Sequence, residues 1–216
     1  MAARTTMKRS KTSARWLREH EEDEFVKRAR KEGYRSRSSY KLIEIDEKYR
    51  LLRPGMCVVD LGAAPGGWSQ VAGKRVGASG RVIAVDVLPM DPLENVQFLQ
   101  GDFTEEALFE RLLALTAVRP VDLVISDMAP NLSGVKDIDQ PRVAYLVELA
   151  VDLVDKVLCQ DGNLVAKCFE GEGINEIRAA LKDRFTKVAN FKPRASRGRS
   201  REIYVVGSGY KRSPDV

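Results

Sequence analysis

Residues 57–67 read Cys57-Val58-Val59-Asp60-Leu61-Gly62-Ala63-Ala64-Pro65-Gly66-Gly67, a short apolar run that ends in a glycine-rich turn. An apolar run of this length, bounded by turn residues, predicts a buried strand, and a helix is expected to follow from Trp68. In open α/β sheets, ligands bind outside the carboxyl ends of the strands, at the point where the strand order reverses. This stretch therefore predicts a doubly wound α/β fold with a ligand site at its first turn.

The remainder of the chain alternates apolar runs with helical patterns. Strands are predicted at 81–87, 96–100, 121–127, 163–169, 187–191 and 203–206, and helices at 13–30, 39–49, 104–115, 141–158 and 174–184. Near-continuous apolar strands that alternate with helices indicate a mostly parallel sheet with helices on both faces. We therefore expect one domain over residues 13–216 with a helical N-terminal extension, preceded by a flexible basic arm over residues 1–12.

The basic residues are concentrated in two segments. Residues 1–18 and residues 187–201 each hold six lysines or arginines and no acidic residue, in a chain of net charge +5. Such segments are typical of a surface that binds nucleic acid, although two solvated stretches would give the same pattern. No apolar run is long enough to span a bilayer, so a membrane partner is not expected.

Histidine and cysteine usage narrows the chemistry. The single histidine, His20, lies in an acidic run, which disfavours a Ser-His-Asp triad, a Cys-His protease and a multi-histidine metal site. The cysteines Cys57, Cys159 and Cys168 form no C-x-x-C pair and are predicted to be buried free thiols in a reducing compartment. We therefore expect no metal, and we assign any chemistry to lysines and carboxylates.

The glycine-rich turn favours a nucleoside that carries positive charge. Asp86 ends the second predicted strand, twenty residues after Gly66, where a carboxylate accepts hydrogen bonds from ribose hydroxyls. Ala64 stands at the third position of the G-x-G-x-x-G pattern, and Pro65 removes a backbone donor, which weakens a pyrophosphate site. Because Asp60 would also repel pyrophosphate, S-adenosylmethionine fits this turn better than a dinucleotide does.

The segment from Asp60 to Gln70 resembles the signature of the FtsJ-like (RrmJ-like) 2′-O-ribose methyltransferases of large-subunit ribosomal RNA. The resemblance extends from Ser13 to about Gly207 and includes SARWLREH (13–20), RSRSSYKL (35–42), SDMAPN (126–131) and SRGRSRE (196–202). It implies a Rossmann-like S-adenosylmethionine-dependent methyltransferase fold, with S-adenosylmethionine as cofactor. It also implies a cytoplasmic, monomeric, bacterial-type enzyme that methylates a uridine of 23S ribosomal RNA, in the family that of the A-loop, in the assembled large subunit.

The same resemblance implies the site residues. The family's catalytic tetrad matches Lys41, Asp127, Lys167 and Glu202, and its cofactor contacts match Gly66, Trp68, Asp86, Asp102 and Asp127. Asp102 is expected to meet the adenine amino group. On the residues alone, Asp127 and Lys167 end neighbouring predicted strands, and a lysine in an apolar run is costly unless it is paired or used. A lysine acts as a base only when it is neutral, and the sequence leaves open which of the two lysines that is.

Other functions compete with this interpretation. The segment Asp127-Met128-Ala129-Pro130-Asn131 superficially resembles the loop of adenine-amino methyltransferases, but Asn131 cannot stack on a flipped base as an aromatic residue would. Within the 2′-O class, transfer RNA or a messenger cap is an alternative substrate. A catalytically inactive RNA-binding ribosome assembly factor and a nicotinamide oxidoreductase are alternatives from other classes.

Overall fold

The computed structural model describes residues 22–129, 136–171, 174–198 and 200–212. Its elements follow one another as α1 (Glu24–Glu32), α2 (Ser39–Tyr49), β1 (Cys57–Leu61), α3 (Gly67–Val76), β2 (Arg81–Asp86), β3 (Val96–Gln100), α4 (Glu106–Ala117), β4 (Val121–Ser126), α5 (Lys136–Val157), β5 (Leu158–Phe169), α6 (Ile174–Arg184), β6 (Phe185–Phe191) and β7 (Glu202–Tyr210). The predicted basic arm and the first part of the predicted helix 13–30 lie outside these residues.

The strands form one sheet in the order β3-β2-β1-β4-β5-β7-β6. The first five strands of the chain pair in parallel, and β7 runs antiparallel between β5 and β6. The chain moves outward from β1 to β3 and then returns to place β4 on the other side of β1, so the strand order reverses between β1 and β4. The predicted α/β fold with a mostly parallel sheet is confirmed, and the reversal point coincides with the glycine-rich turn.

Each face of the sheet is covered by helices. Side chains of β1 alternate between two apolar layers, with Val59 in one layer and Val58 in the other. The first layer receives α4, α5 and α6 through residues such as Leu112 and Leu153, and the second receives α2 and α3 through residues such as Leu42. Because both faces are covered, β1 is buried along its whole length. None of the described helices combines the length and apolarity that a membrane crossing requires.

Two expectations need correction. The fifth strand begins at Leu158 and not at residue 163, because Leu158 already pairs with Val121 of β4. Turn-type residues conceal this start in the sequence: Asp161 has a φ of 64°, and the pairing with β4 shifts register between Val121 and Leu123. The second correction concerns the cysteines, all three of which were predicted to be buried. Cys57 and Cys168 are buried, whereas Cys159 is half-buried. Burial raises the pKa of Cys168 to about 12, so this thiol is unreactive at neutral pH.

The N-terminal extension is attached to the sheet through Arg37. Asp23 caps α1 by accepting hydrogen bonds from the backbone N–H groups of Phe25 (3.0 Å) and Val26 (3.4 Å), and its other oxygen pairs with Arg37. The Arg37 guanidinium also donates to the carbonyl of Ala195, in the loop between β6 and β7. The Asp23 carboxylate thus caps the N-terminus of α1 and, through Arg37, connects this helix to the loop between β6 and β7.

We expect Asp23→Ala to lower the free energy of unfolding by about 2–4 kcal/mol, because it removes a helix cap and leaves the half-buried Arg37 guanidinium without its carboxylate. Urea unfolding followed by circular dichroism measures this change. The matched control is Glu24→Ala, which removes an exposed acidic residue from the same helical turn and should cost less than about 1 kcal/mol. Equal losses for the two variants would contradict the role of Asp23 as an anchor.

Candidate functional site

A cavity of about 620 Å³ lies at the carboxyl ends of β1, β2 and β4. Its walls include three acidic residues that follow three different strands, Asp86, Asp102 and Asp127, together with Gly62, Phe103 and Met128. Pockets of this volume, mostly apolar with a few polar groups, are typical of sites for small molecules and cofactors. Parallel strands bring these residues together, although the chain separates the first from the last by about forty residues.

The glycine-rich turn forms the floor of the cavity because it lies close to a second loop. Gly62 has a φ of +73°, and a β-carbon there would lie 2.6 Å from Cγ and 3.1 Å from Cα of Met128. Both constraints require glycine. Asp86 holds the turn from the other side, since its carboxylate accepts hydrogen bonds from the backbone N–H groups of Ala64 (2.9 Å) and Leu88 (2.8 Å). The residue predicted to hold a ribose therefore also fixes the turn.

Asp102 is oriented by the residues that follow it. Its Oδ1 accepts hydrogen bonds from the backbone N–H (2.9 Å) and the hydroxyl (2.8 Å) of Thr104. These bonds favour the ionised form and lower the pKa of the Asp102 carboxyl. A fixed carboxylate on the cavity wall is suited to accept a hydrogen bond from an amino group.

Gly66 and Trp68 both lie against the N-terminal extension. Neither is among the described residues that line the cavity. A β-carbon on Gly66 would lie 2.8 Å from the Arg35 guanidinium, so the turn is packed against the N-terminal extension at this point. The Trp68 side chain is 2% exposed, donates its indole N–H to the carbonyl of Ser38 (2.8 Å), and packs against Tyr204. The indole thus belongs to the core, and a cofactor contact from either residue stays a prediction.

Two ion pairs meet beside the cavity and bring the four predicted tetrad residues together. Lys167 Nζ lies 3.0 Å from Asp127 Oδ1 and also donates to the Asp127 carbonyl. Lys41 Nζ lies 2.7 Å from Glu202 Oε1. The four side chains are between 8% and 17% exposed, so both pairs are largely removed from water. Each charge is therefore retained because an opposite charge lies beside it.

Tyr204, which the sequence interpretation overlooked, connects the two pairs. Its hydroxyl donates to Asp127 Oδ1 (2.6 Å) and accepts a hydrogen bond from Lys41 Nζ (3.2 Å). Tyr204 pairs with Lys167 across β5 and β7, so the two side chains lie on the same face of the sheet. One signal was available, since Tyr204 follows Glu202 by two residues and strand alternation places both on one face.

The pKa values of two carboxyl groups near the carboxyl ends of β1 and β4 are shifted in opposite directions. Burial acts to raise the pKa of Asp127, but Lys167, Lys41 and the Tyr204 hydroxyl outweigh it and hold the value below the ordinary one. Asp60, fully buried beneath the turn, accepts a hydrogen bond from the Ser69 hydroxyl (2.6 Å), and Oδ1 lacks a partner among the described residues. Burial, together with the nearby Asp127 and Asp86, raises the pKa of Asp60 to about 7.

The arrangement combines a nucleoside-sized cavity with a group that can handle protons. A lysine held at the cavity edge can orient a hydroxyl and accept its proton, and the neighbouring carboxylates compensate the charge that results. Within the described ranges, no cluster of histidine, cysteine or carboxylate side chains is arranged to hold a metal ion. The geometry is suited to transfer of a group to an alcohol.

Known proteins with similar sequences and structures are methyltransferases. Residues 34–210 match the family model of the FtsJ-like methyltransferases. The chain is 59% identical over 204 residues to ribosomal RNA large subunit methyltransferase E of Cellvibrio japonicus, covering 94% of this chain and 97% of that protein. It is 58% identical over 214 residues to the protein of the same name from Acinetobacter baumannii, covering 99% of each.

A solved structure agrees with these sequence matches. A Plasmodium falciparum structure described as a ribosomal RNA methyltransferase superimposes with a TM-score of 0.73 at 30% identity. The match covers 82% of this chain and 98% of the other. The likeness therefore extends to the three-dimensional arrangement.

We expect Asp127→Asn to destabilise the fold by about 3 kcal/mol at neutral pH, because the buried Lys167 ammonium loses its carboxylate partner. Since the folded-state pKa of Asp127 lies below the unfolded value of about 3.9, this contribution is complete above pH 5 and disappears only as the pH falls through the lower folded value. Urea unfolding of both proteins from pH 7 to pH 3 measures the difference. Asp152→Asn, at an exposed position of α5, is the control. A difference that already shrinks between pH 7 and pH 5 would contradict this assignment.

Proposed function

Because the chain belongs to the FtsJ-like methyltransferase family, we propose that it transfers the methyl group of S-adenosylmethionine to a ribose 2′-hydroxyl of 23S ribosomal RNA. The family and the names of the relatives support a methyltransferase that acts on large-subunit ribosomal RNA. The observation that carries the 2′-hydroxyl as acceptor is the pair of lysine–carboxylate contacts, bridged by Tyr204, beside a nucleoside-sized cavity.

The cavity fits the cofactor in size and in charge. A volume of about 620 Å³ is sufficient for an adenosine with a methionine chain, and the close contact of Gly62 with Met128 keeps the floor free of side chains. Asp86 would hold the ribose and Asp102 the adenine amino group, while Asp127 and Asp60 would offer negative charge to the methionine end. When bound, S-adenosylmethionine supplies a methyl group that is already activated by a sulfonium.

The protein must then remove a proton and position an oxygen. A ribose 2′-hydroxyl is a weak nucleophile until its proton leaves, and we assign the acceptor role to Lys167 Nζ, at the end of β5, in the form in which this amine has first released its own proton to solvent. Asp127 orients this amine through its side chain and its carbonyl. Lys41, fixed by Glu202, would hold the RNA ribose from the opposite side. Tyr204 keeps the two halves at a constant separation, which matters because in-line transfer is sensitive to small displacements.

The loop between β6 and β7 supports RNA as the substrate. It contains most of the second basic segment, and Lys192, Arg194 and Arg201 are exposed. The Glu44 carboxylate accepts hydrogen bonds from the backbone N–H groups of Arg194 (2.7 Å) and Ala195 (2.9 Å) and thus fixes the loop against α2. Exposed cations on a fixed loop beside the tetrad provide a place for phosphates. Arg199 and the first basic segment up to Arg18 lie outside the described residues.

The finer features of the reaction rest on the family resemblance. We assign the target to a uridine of the A-loop, the substrate to the assembled large subunit, and the enzyme to the cytoplasm as a monomer. The two sequence relatives, from Cellvibrio japonicus and Acinetobacter baumannii, are bacterial, which agrees with a 23S substrate.

Methyl transfer to ribosomal RNA tests the function directly. Purified protein and radiolabelled S-adenosylmethionine are incubated with large subunits from a strain that lacks the equivalent methylation, and in parallel with free 23S RNA, transfer RNA and capped messenger RNA. We expect label in a 2′-O-methyluridine of 23S RNA, with most incorporation into the assembled subunit. Cofactor binding without incorporation into any RNA would contradict the enzymatic assignment and favour an inactive assembly factor.

We expect Lys167→Ala to reduce the methyl-transfer rate by about 10²–10⁴-fold, the usual contribution of a general base, while cofactor affinity stays nearly unchanged. Lys167→Arg separates the two possible roles of this residue, because arginine keeps the positive charge but cannot give up its proton at working pH. Single-turnover rates and cofactor affinity are measured for both variants. An arginine variant with near wild-type rate would overturn the proton-acceptor role and leave Lys167 as a group that orients the substrate.

A further inference from the structure

Asp60 is a buried carboxyl group outside the catalytic tetrad, and the methyl-transfer step proposed above does not involve it. It occupies the fourth position of β1, is fully buried, and receives one side-chain hydrogen bond, from the Ser69 hydroxyl at the start of α3. Its second oxygen, Oδ1, is equally buried and lacks a hydrogen-bond partner among the described residues. An ionised carboxylate in such a place is costly unless an opposite charge approaches it.

Strand register places Asp60 directly behind two carboxylates of the cavity. Asp60 pairs with Ala84 on β2 and with Ile125 on β4. Asp86 and Asp127 each follow those partners by two residues, so strand alternation directs all three side chains to the same face of the sheet. Asp86 and Asp127 line the cavity, and Asp60, which is fully buried, lies on the strand between theirs.

The three carboxylates differ in how their charge is compensated. Asp127 is paired with Lys167 and lies within the field of Lys41, and Asp86 accepts two backbone N–H bonds. The donors that α3 offers to Asp60 are neutral, the hydroxyl and the backbone N–H of Ser69, and the charged groups that act on it, Asp86 from β2 and Asp127 from β4, are both negative. This environment raises the pKa of Asp60 to about 7, so the carboxyl is largely protonated below neutral pH.

We propose that Asp60 is the counter-charge of the methyl donor: it carries a proton when no ligand is bound and releases that proton to solvent when the positively charged sulfonium cofactor binds in front of it. The inference rests on the proposed function, because it requires S-adenosylmethionine to occupy the cavity. Asp60 need not touch the cofactor, since charges interact over several ångströms in a site with little water.

This arrangement makes ligand affinity depend on the positive charge of the sulfonium, which is lost when the methyl group is transferred. The donor carries a positive sulfur, whereas the product S-adenosylhomocysteine carries a neutral thioether and differs in little else. Ionised Asp60 favours the donor, and Asp60 takes up a proton again once the sulfur is neutral. By linkage, donor affinity rises with pH as Asp60 ionises, and product affinity changes much less.

Calorimetry on the wild-type protein tests this without any substitution. S-Adenosylmethionine and S-adenosylhomocysteine are titrated at pH 6 in buffers with different ionisation enthalpies, which reports the number of protons released. We expect release of about half a proton per donor bound, the value that a tenfold linkage gives at this pH, and a clearly smaller release for the product. At this pH the amino groups of both ligands stay protonated and do not contribute.

Asp60→Asn assigns the proton to this residue. The variant should show no proton release, and it should lose about tenfold in donor affinity at pH 7.5 but less than about twofold in product affinity. Where this substitution prevents folding, Ser69→Ala serves instead: loss of its hydrogen bond disfavours the ionised form, so the rise of donor affinity with pH moves to higher pH.

The outcomes separate the two proposals. Tight donor binding with no proton release, or equal release for donor and product, overturns the role of Asp60 and leaves the methyltransferase assignment intact. Proton release that persists in Asp60→Asn overturns the assignment to this residue. Failure of either ligand to bind the wild-type protein overturns the proposed cofactor and the role of Asp60 together.

Discussion

Lys167 and Asp127 lie together at the carboxyl ends of β4 and β5, where little water reaches them. Burying either charge there without the other would cost several kcal/mol. A buried ion pair of this kind is poor evidence for added stability, because desolvation offsets much of the attraction. Its effect is to fix geometry. Lys167 Nζ contacts both the side chain and the carbonyl of Asp127, so the amine is held at the end of β5 beside the cavity. Tyr204 and Lys41 are then positioned relative to this pair.

The N-terminal extension is required because one of the two lysines belongs to it. Lys41 lies on α2, outside the sheet, so α2 must be attached at several points for Lys41 to meet Glu202. Arg37 and Glu44 attach this region to the loop between β6 and β7, and Arg35 donates to the carbonyls of the turn and of the segment after β2. The N-terminal extension therefore contacts both the glycine-rich turn and the loop between β6 and β7.

The sequence predicted well those features that depend on local pattern. Apolar strands that end at or beside Asp86 and Asp127 predicted a site here, because parallel strands have their carboxyl ends on the same side of a sheet, whereas Asp102 came from the family resemblance. The family resemblance supplied Lys41 and Glu202, which nothing local distinguishes. Tyr204 and the exceptional state of Asp60 escaped prediction, since one depends on the register of β5 with β7 and the other on which groups bury it. The packing of the Trp68 indole against Tyr204 depends on the same long-range register and could not be read from its own segment.

The position of β7 in the sheet has a consequence for biosynthesis. β7 is the last of the seven strands along the chain, yet it lies between β5 and β6 and not at an edge. Until it has emerged from the ribosome, β5 presents an unpaired strand edge, which is the kind of surface that promotes aggregation in nascent chains. The same strand carries Glu202 and Tyr204. A partially synthesised chain thus has neither a closed sheet nor a complete catalytic centre, and both are gained in a single step.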